Sequence, residues 1–141
     1  MQKKRILLID DEPDVTGLLK LNLGNTGAYE VREENRAEHA LATARTFKPD
    51  LIILDIVMPN VDGGEVAAQL KADKALKETP LVFLTAVATK KEAEEMGGMI
   101  GGHPFIAKPA NLEELEELIE KQLQKKQGGM RCGEEEDPAY R

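Results

Sequence analysis

Short apolar runs recur along the chain and alternate with segments of helical spacing. Three runs are apolar at nearly every position, at residues 6–9, 51–54 and 81–84, and two weaker runs lie at residues 29–33 and 105–107. Uninterrupted apolar runs of this length are typical of central strands that helices cover on both faces. We therefore expect the three strong runs at the centre of a sheet and the two weak runs at its edges.

The segments between these runs predict helices. The last segment is the clearest, with apolar residues at helical spacing at Leu112, Leu115, Leu118, Ile119 and Leu123. Residues 37–44 and 66–70 show the same spacing over shorter stretches. Pro13 suits the first turn of a helix, where its missing N–H group costs nothing. The alternation of strands and helices predicts an α/β fold whose parallel strands are joined by crossover helices.

Length and turn signals predict a single domain. A chain of 141 residues is long enough to bury one sizeable core. Thr89 and Glu92 have the spacing of a capping box, which predicts a short helix before a glycine-rich loop at residues 97–102. Helical periodicity ends at Gly128. We therefore expect a domain at residues 1–127 and a disordered acidic tail at residues 128–141.

Composition argues against several classes of function. The net charge of −7 discourages binding to nucleic-acid phosphates or anionic lipid, because such binders usually show a basic patch. No stretch approaches the roughly 20 apolar residues that a membrane span needs. The single cysteine, Cys132, cannot form an intrachain disulfide, which fits a reducing compartment. We expect a soluble cytoplasmic protein that binds neither nucleic acid nor membranes directly.

Candidate chemistry is concentrated where the predicted strands end. In an open parallel sheet, ligands bind beyond the carboxyl ends of the strands, and the polar residues there are Asp10, Asp11, Asp55, Thr85 and Lys108. Three carboxylates in one crevice repel each other unless a cation lies among them. Hard oxygen ligands of this kind suit Mg²⁺, and a carboxylate beside such an ion can attack phosphorus to form an aspartyl phosphate. Lys108 would balance the incoming charge, and Thr85 would donate a hydrogen bond to a phosphoryl oxygen.

The ordered set of motifs resembles the response-regulator receiver domain of two-component signalling, over about residues 3–126. The motifs are Asp10-Asp11-Glu12, Asp55-x-x-Met58-Pro59-x-x-x-Gly63, Thr85-Ala86 and Lys108-Pro109. This resemblance implies a doubly wound, flavodoxin-like fold, in which a five-stranded parallel sheet in the order 2-1-3-4-5 carries helices on both faces. The glycine-rich segment at residues 97–104 is about one residue longer than is usual in the family, which predicts that the surface formed by the fourth helix and the fifth strand is remodelled.

The resemblance also implies roles for individual residues around the phosphorylation site. Asp55 would be the phosphoacceptor, and Lys108 would form an ion pair with the phosphoryl group. Asp10 and Asp11 would hold Mg²⁺ directly or through water, together with Asp55 and the backbone carbonyl of Val57. The resemblance therefore implies a magnesium-dependent phosphoacceptor site at the carboxyl edge of the sheet.

A second group of implied roles concerns signalling. Thr85 would be the switch hydroxyl and Phe105 the switch aromatic residue, and the peptide bond before Pro109 would be cis, which only a bond to proline reaches at low cost. The domain would accept its phosphoryl group from a sensor histidine kinase or a phosphotransfer protein, and would then change the face that binds a downstream protein. It would catalyse only its own phosphorylation and dephosphorylation, as a monomer or a phosphorylation-dependent homodimer. The 14 residues after Gln127 are too few for a DNA-binding output domain, so we expect a stand-alone receiver.

Two other functions share parts of this pattern. A magnesium-dependent phosphohydrolase of the haloacid-dehalogenase type would also use an aspartyl nucleophile, but would carry it in an Asp-x-Asp-x-Thr motif after the first strand. Here the aspartate that closes the central strand is Asp55. A flavodoxin-like cofactor binder would need a Ser/Thr/Gly phosphate cradle after the first strand, where Asp10 and Asp11 stand instead and would repel a phosphate. The motifs favour the receiver interpretation.

Overall fold

The computed structural model describes residues 3–58, 61–85, 99–100, 103–107 and 112–130. The strands are β1 (Lys4–Ile9), β2 (Tyr29–Glu34), β3 (Leu51–Asp55), β4 (Val57–Met58), β5 (Val61–Asp62), β6 (Leu81–Thr85), β7 (Met99–Ile100) and β8 (His103–Ala107). The helices are α1 (Pro13–Asn25), α2 (Ala40–Phe47), α3 (Gly63–Ala72) and α4 (Leu112–Met130), and a 3₁₀ turn at Ala37–His39 leads into α2.

Five strands pair in parallel in the order β2-β1-β3-β6-β8. This arrangement confirms the predicted order 2-1-3-4-5. The three strongly apolar strands, β1, β3 and β6, lie at the centre of the sheet, as their composition predicts. Strands buried on both faces need apolar residues at successive positions, because alternate side chains point to opposite faces.

The last parallel strand is not at the edge of the sheet, and that prediction was wrong. Strand β7 pairs antiparallel with β8 and covers it, with Met99 opposite Pro104 and Ile100 opposite His103. The residues between the two strands are Gly101 and Gly102, a composition that favours two-residue hairpin connections. The glycine-rich segment thus contributes a sixth strand to the main sheet.

Helices cover both faces of the sheet and form two separate cores. On one face α2 and α3 pack against alternate strand residues, among them Leu7, Ile9, Ile52, Leu54, Phe83 and Phe105. On the other face α1 and α4 pack against the intervening positions, among them Ile6, Leu8, Leu51, Ile53, Val82 and Leu84. The doubly wound fold follows directly from this division of each central strand between two cores.

Some element boundaries differ from the prediction. Helix α4 continues through Gly128 and Gly129 to Met130, beyond the expected end at residue 127. The predicted helix at Thr89 lies outside the described residues, as do residues 131–141 of the predicted tail. Among the residues that the structure describes, no helix has the length and apolar character that crossing a membrane requires.

Burial within α4 predicts unequal sensitivity to truncation of its leucines. Leu115 is fully buried in the core between α4 and the sheet, whereas Leu118 only borders that core. We expect Leu115→Ala to lower the free energy of unfolding by about 3 kcal/mol, because it removes buried methyl groups and leaves a cavity. The matched change Leu118→Ala should cost about 1 kcal/mol or less. Urea unfolding measures both, and equal losses would contradict the packing described here.

Candidate functional site

Three carboxylates meet at the carboxyl edge of the sheet. Strands β1 and β3 are neighbours with Ile9 opposite Leu54, so the next residues, Asp10 and Asp55, emerge side by side. One carboxylate oxygen from each of Asp10, Asp11 and Asp55 lies within 4.8 Å of the other two. Asp10 and Asp55 are each only 2% exposed, and Asp11 is half-buried. The structure therefore brings together the three carboxylates that the sequence singles out.

The turn after β1 is shaped by hydrogen bonds to Asp10. Its backbone N–H group donates to the carbonyl of Glu34 on β2 at 3.2 Å, which continues the strand pairing one residue beyond Ile9. Its side-chain Oδ1 accepts the N–H group of Glu12 at 3.0 Å, as aspartates do in turns. Helix α1 begins directly afterwards at Pro13. The side chain of Asp10 is thus oriented by the same turn that starts the helix.

The electrostatics of the cluster favour a bound cation. Burial and the neighbouring negative charge of Asp10 raise the pKa of the Asp11 carboxyl above its usual range. Both effects penalise the ionised form, and a positive ion among the carboxylates would reverse them. The donors are hard oxygens from carboxylates, which is the ligand chemistry that Mg²⁺ prefers. The residues present therefore fit the predicted metal.

The segment after Asp55 ends at Gly63, which packs against the backbone of Asp55 and Ile56. Strands β4 and β5 form a small antiparallel pair in which Val57 lies opposite Asp62, and the N–H group of Gly63 donates to the carbonyl of Ile56 at 3.0 Å. A Cβ atom at Gly63 would lie 2.5 Å from the Cα atom of Ile56 and 2.6 Å from the carbonyl oxygen of Asp55. The close approach explains why the motif ends in glycine. Val57 lies in β4, and its role as a carbonyl ligand stays a prediction.

The remaining predicted residues lie on or after β6 and β8. Thr85 ends β6 and is one residue beyond Leu84, the partner of Asp55 in the sheet, so it reaches the same edge. Phe105 lies in β8 opposite Phe83 and is buried in the same core. Lys108 and Pro109 lie outside the described residues. The predicted ion pair and the predicted cis peptide bond therefore stay predictions.

Comparison with known proteins identifies the family. Residues 6–120 match the response regulator receiver domain. The chain belongs to this family. Among curated relatives of this receiver domain, the alkaline phosphatase synthesis transcriptional regulatory protein PhoP of Bacillus subtilis is 38% identical over 113 residues, which cover 79% of this chain and 45% of PhoP. The DNA-binding dual master transcriptional regulator RpaA of Synechocystis is 34% identical over 111 residues, with the same two shares. The receiver chain thus spans about half the length of these curated relatives.

Solved structures support the same assignment. The receiver resembles the chemotaxis protein CheY4 of Vibrio cholerae with a TM-score of 0.72 and 27% identity, over 85% of this chain and 98% of the other. It resembles the BeF3-activated N-terminal receiver domain of Klebsiella pneumoniae RstA with a TM-score of 0.70 and 27% identity, over 86% and 99% of the two chains. The family and the fold implied by the sequence motifs are both confirmed.

The close contacts of Gly63 lead to a test with a matched control. We expect Gly63→Ala to lower the free energy of unfolding by about 1–3 kcal/mol, because the new methyl group overlaps backbone atoms that must move. Gly17, within α1, has open space at the position of a Cβ atom, so Gly17→Ala should raise that free energy by about 0.4–1 kcal/mol. Urea unfolding of both variants provides the measurement. Destabilisation by Gly17→Ala of the same size as by Gly63→Ala would show that the contacts around Ile56 are not responsible.

Proposed function

We propose that this receiver domain accepts a phosphoryl group on Asp55 in a reaction that requires Mg²⁺. The observation that carries the proposal is the convergence of Asp10, Asp11 and Asp55, with ligand atoms within 4.8 Å, at the carboxyl edge of the sheet. Buried carboxylates this close together are costly as a purely structural feature. A cation bound among the carboxylates would offset this electrostatic cost, and the phosphoryl group would then bind in the same crevice.

The chemistry uses Asp55 as a nucleophile. A carboxylate oxygen of Asp55 forms a bond to phosphorus as the bond from phosphorus to a donor histidine nitrogen breaks. The imidazole keeps the electron pair of the broken bond and takes up a proton. The product is an acyl phosphate on Asp55 and a neutral histidine on the donor, which membership of the receiver family implies is a sensor histidine kinase or a phosphotransfer protein.

Neighbouring residues prepare this step. Asp10, Asp11 and Asp55 would hold the metal together with the backbone carbonyl of Val57. When bound, Mg²⁺ neutralises negative charge on the phosphoryl oxygens. Asp10 is held in place by the N–H group of Glu12, so its carboxylate is preorganised. Lys108 would pair with the phosphoryl group, which follows from the family motif.

The same proposal covers signalling. Thr85 would turn towards the phosphoryl oxygens, and Phe105 would act as the aromatic residue of the switch. Phe105 is 6% exposed, as a core residue of the sheet would also be, so its role in the switch rests on the family motif. The similarity to the RstA receiver, whose solved structure is a BeF3-activated form, supports a response to phosphoryl-like groups. The output is a changed face that binds a downstream protein in the cytoplasm. The domain acts as a monomer or a phosphorylation-dependent homodimer, and it turns over no separate substrate.

The phosphoacceptor assignment is tested with a small-molecule donor. Incubation with acetyl phosphate and Mg²⁺ should add one phosphoryl group to the wild type and none to Asp55→Asn, because an amide is a poor nucleophile. Asp14 is exposed in the first turn of α1 and lies outside the carboxylate cluster. Asp14→Asn should therefore be modified like the wild type. Intact-mass spectrometry measures all three, and modification of Asp55→Asn at the wild-type yield would place the acceptor elsewhere.

The metal assignment is tested at Asp11. We expect Asp11→Asn to weaken Mg²⁺ binding by at least about tenfold, because it removes one charged ligand. NMR titration with MgCl₂ measures the affinity. An Mg²⁺ affinity of Asp11→Asn equal to that of the wild type would show that Asp11 does not contact the metal.

The raised pKa of Asp11 has a second consequence, for stability without metal. The folded protein binds a proton at Asp11 more tightly than the unfolded chain does, so ionisation of Asp11 costs stability as pH rises through the folded pKa. At neutral pH and in EDTA, Asp11→Asn should therefore have a higher urea midpoint than the wild type. The difference should shrink as pH is lowered through that pKa. A lower midpoint for Asp11→Asn at neutral pH would contradict the charge repulsion inferred here.

A further inference from the structure

Asn35 lies beside the turn that carries the candidate metal ligands. It is the residue after β2, and β2 pairs with β1 so that Glu34 lies opposite Ile9. The next residues on the two strands, Asn35 and Asp10, therefore lie close together at the carboxyl edge of the sheet. The side-chain Nδ2 atom of Asn35 is 2.8 Å from the carbonyl oxygen of Asp10 and 3.0 Å from the hydroxyl oxygen of Thr16. Both distances are those of well-formed hydrogen bonds.

The partner hydroxyl is itself fixed. Thr16 is fully buried in the second turn of α1, and its Oγ1 atom lies 2.6 Å from Oε1 of Glu33 and 3.2 Å from the carbonyl of Pro13. A hydroxyl has one hydrogen to donate, and the shorter distance to a charged acceptor directs it to Glu33. Thr16 therefore accepts from Asn35. Glu33 also lies 3.8 Å from Nζ of Lys20, another residue of α1.

These bonds commit the two hydrogens of the Asn35 amide. One goes to Thr16 on α1, and the other goes to the carbonyl of Asp10. That carbonyl belongs to the peptide group that joins Asp10 to Asp11, so the bond fixes how this peptide group is rotated. The rotation in turn sets the direction in which the backbone reaches Asp11 and the position of its carboxylate relative to Asp55.

We propose that Asn35 is a positioning residue for the metal site: through the Asp10 carbonyl and Thr16, it holds the Asp10–Asp11 peptide in the orientation that brings the Asp11 carboxylate beside Asp10 and Asp55. This inference rests on the proposed magnesium-dependent function. Asn35 touches neither the metal nor the phosphoryl group. It acts as the hydrogen-bonding partners behind metal ligands do in general, by orienting the groups that bind.

The test compares Mg²⁺ affinities of folded variants by NMR titration with MgCl₂. Asn35→Leu keeps a similar shape without the donors and should bind Mg²⁺ about tenfold more weakly than the wild type. Thr16→Val removes the hydroxyl that orients the amide and should also weaken binding. Because both changes act through the same contact, the double variant should bind no more weakly than Asn35→Leu alone.

A matched control and a second substitution at Asn35 complete the design. Thr43 donates from α2 to the carboxylate of Glu34 at 2.5 Å, so Thr43→Val removes a comparable threonine–glutamate bond on the same strand but does not touch the Asp10 carbonyl. It should leave Mg²⁺ affinity unchanged. Asn35→Asp adds a negative charge that would by itself attract Mg²⁺, so weaker binding by this variant isolates the loss of the donor. It also serves if Asn35→Leu does not fold.

The outcomes separate this inference from the proposed function. Weaker binding by the Asn35 and Thr16 variants but not by Thr43→Val supports the positioning role, since a merely structural residue would lower the urea midpoint and leave the affinity of the folded protein unchanged. Wild-type affinity in Asn35→Leu, or in Thr16→Val if Asn35→Leu does not fold, while Asp11→Asn loses binding, would overturn the positioning role and leave the metal site intact. Failure of the wild type itself to bind Mg²⁺ would overturn both.

Discussion

The mutual repulsion of carboxylates at the ends of two adjacent strands is the constraint around which this domain is organised. Asp10 and Asp55 follow Ile9 and Leu54, which are opposite each other in the register of β1 and β3. The backbone positions that carry these carboxylates cannot move apart without a shift of one central strand against the other. Such a shift would turn the apolar side chains of both cores to the wrong faces, because side chains alternate along a strand. The hydrophobic packing on both faces therefore holds the charges together.

Local hydrogen bonds refine what the strands impose. Three hydrogen bonds fix Asp10. Its backbone N–H group donates to the carbonyl of Glu34, its side chain accepts from the N–H group of Glu12, and its backbone carbonyl accepts from the amide of Asn35. On the other strand, the backbone around Asp55 and Ile56 approaches Gly63 so closely that a larger residue would force backbone atoms to move. The global fold thus brings the carboxylates to one edge, and a few specific contacts in the two turns determine their orientation.

The parts of this arrangement that the sequence predicts are those with strong local signals. Residues 6–9, 51–54 and 81–84 are apolar without interruption, and α4 has a regular helical period, so the central strands and the edge that carries Asp10, Asp11 and Asp55 could be predicted. The strand order was implied by the resemblance of the motifs to the receiver family. Strand β7 could not, because two residues, Met99 and Ile100, show no periodicity, and only their pairing with β8 makes them a strand. Gly128 and Gly129 predicted that the last helix ends before them, but α4 continues to Met130. Helical propensity is a weak guide at element ends.

Asn35 was missed for a different reason. Asparagine after a weak strand is usually a turn residue, and nothing in the sequence connects it with Thr16, 19 positions earlier. The connection depends on the register of β2 against β1 and on the side of α1 that faces the sheet. Polar positioning residues of this kind are specified by tertiary structure, so a sequence motif finds the ligands more readily than the groups that orient them.

The topology also defines how a phosphoryl group on Asp55 would reach the rest of the molecule. On one side of β3 lies β1 with Asp10, which is tied to β2 and α1 by the contacts described above. On the other side lies β6, whose Leu84 is opposite Asp55 and accepts the N–H group of Ile56 through its carbonyl at 3.2 Å. Strand β6 in turn pairs with β8, where Phe105 lies opposite Phe83. Under the proposed function, the β1 side anchors the metal ligands, whereas the β6 side offers a short path of paired backbone from Asp55 through Thr85 to Phe105. The added strand β7 pairs with β8 at the end of that path. It is the main difference between this sheet and the predicted one, and under the proposed function it borders the face that would bind a downstream protein.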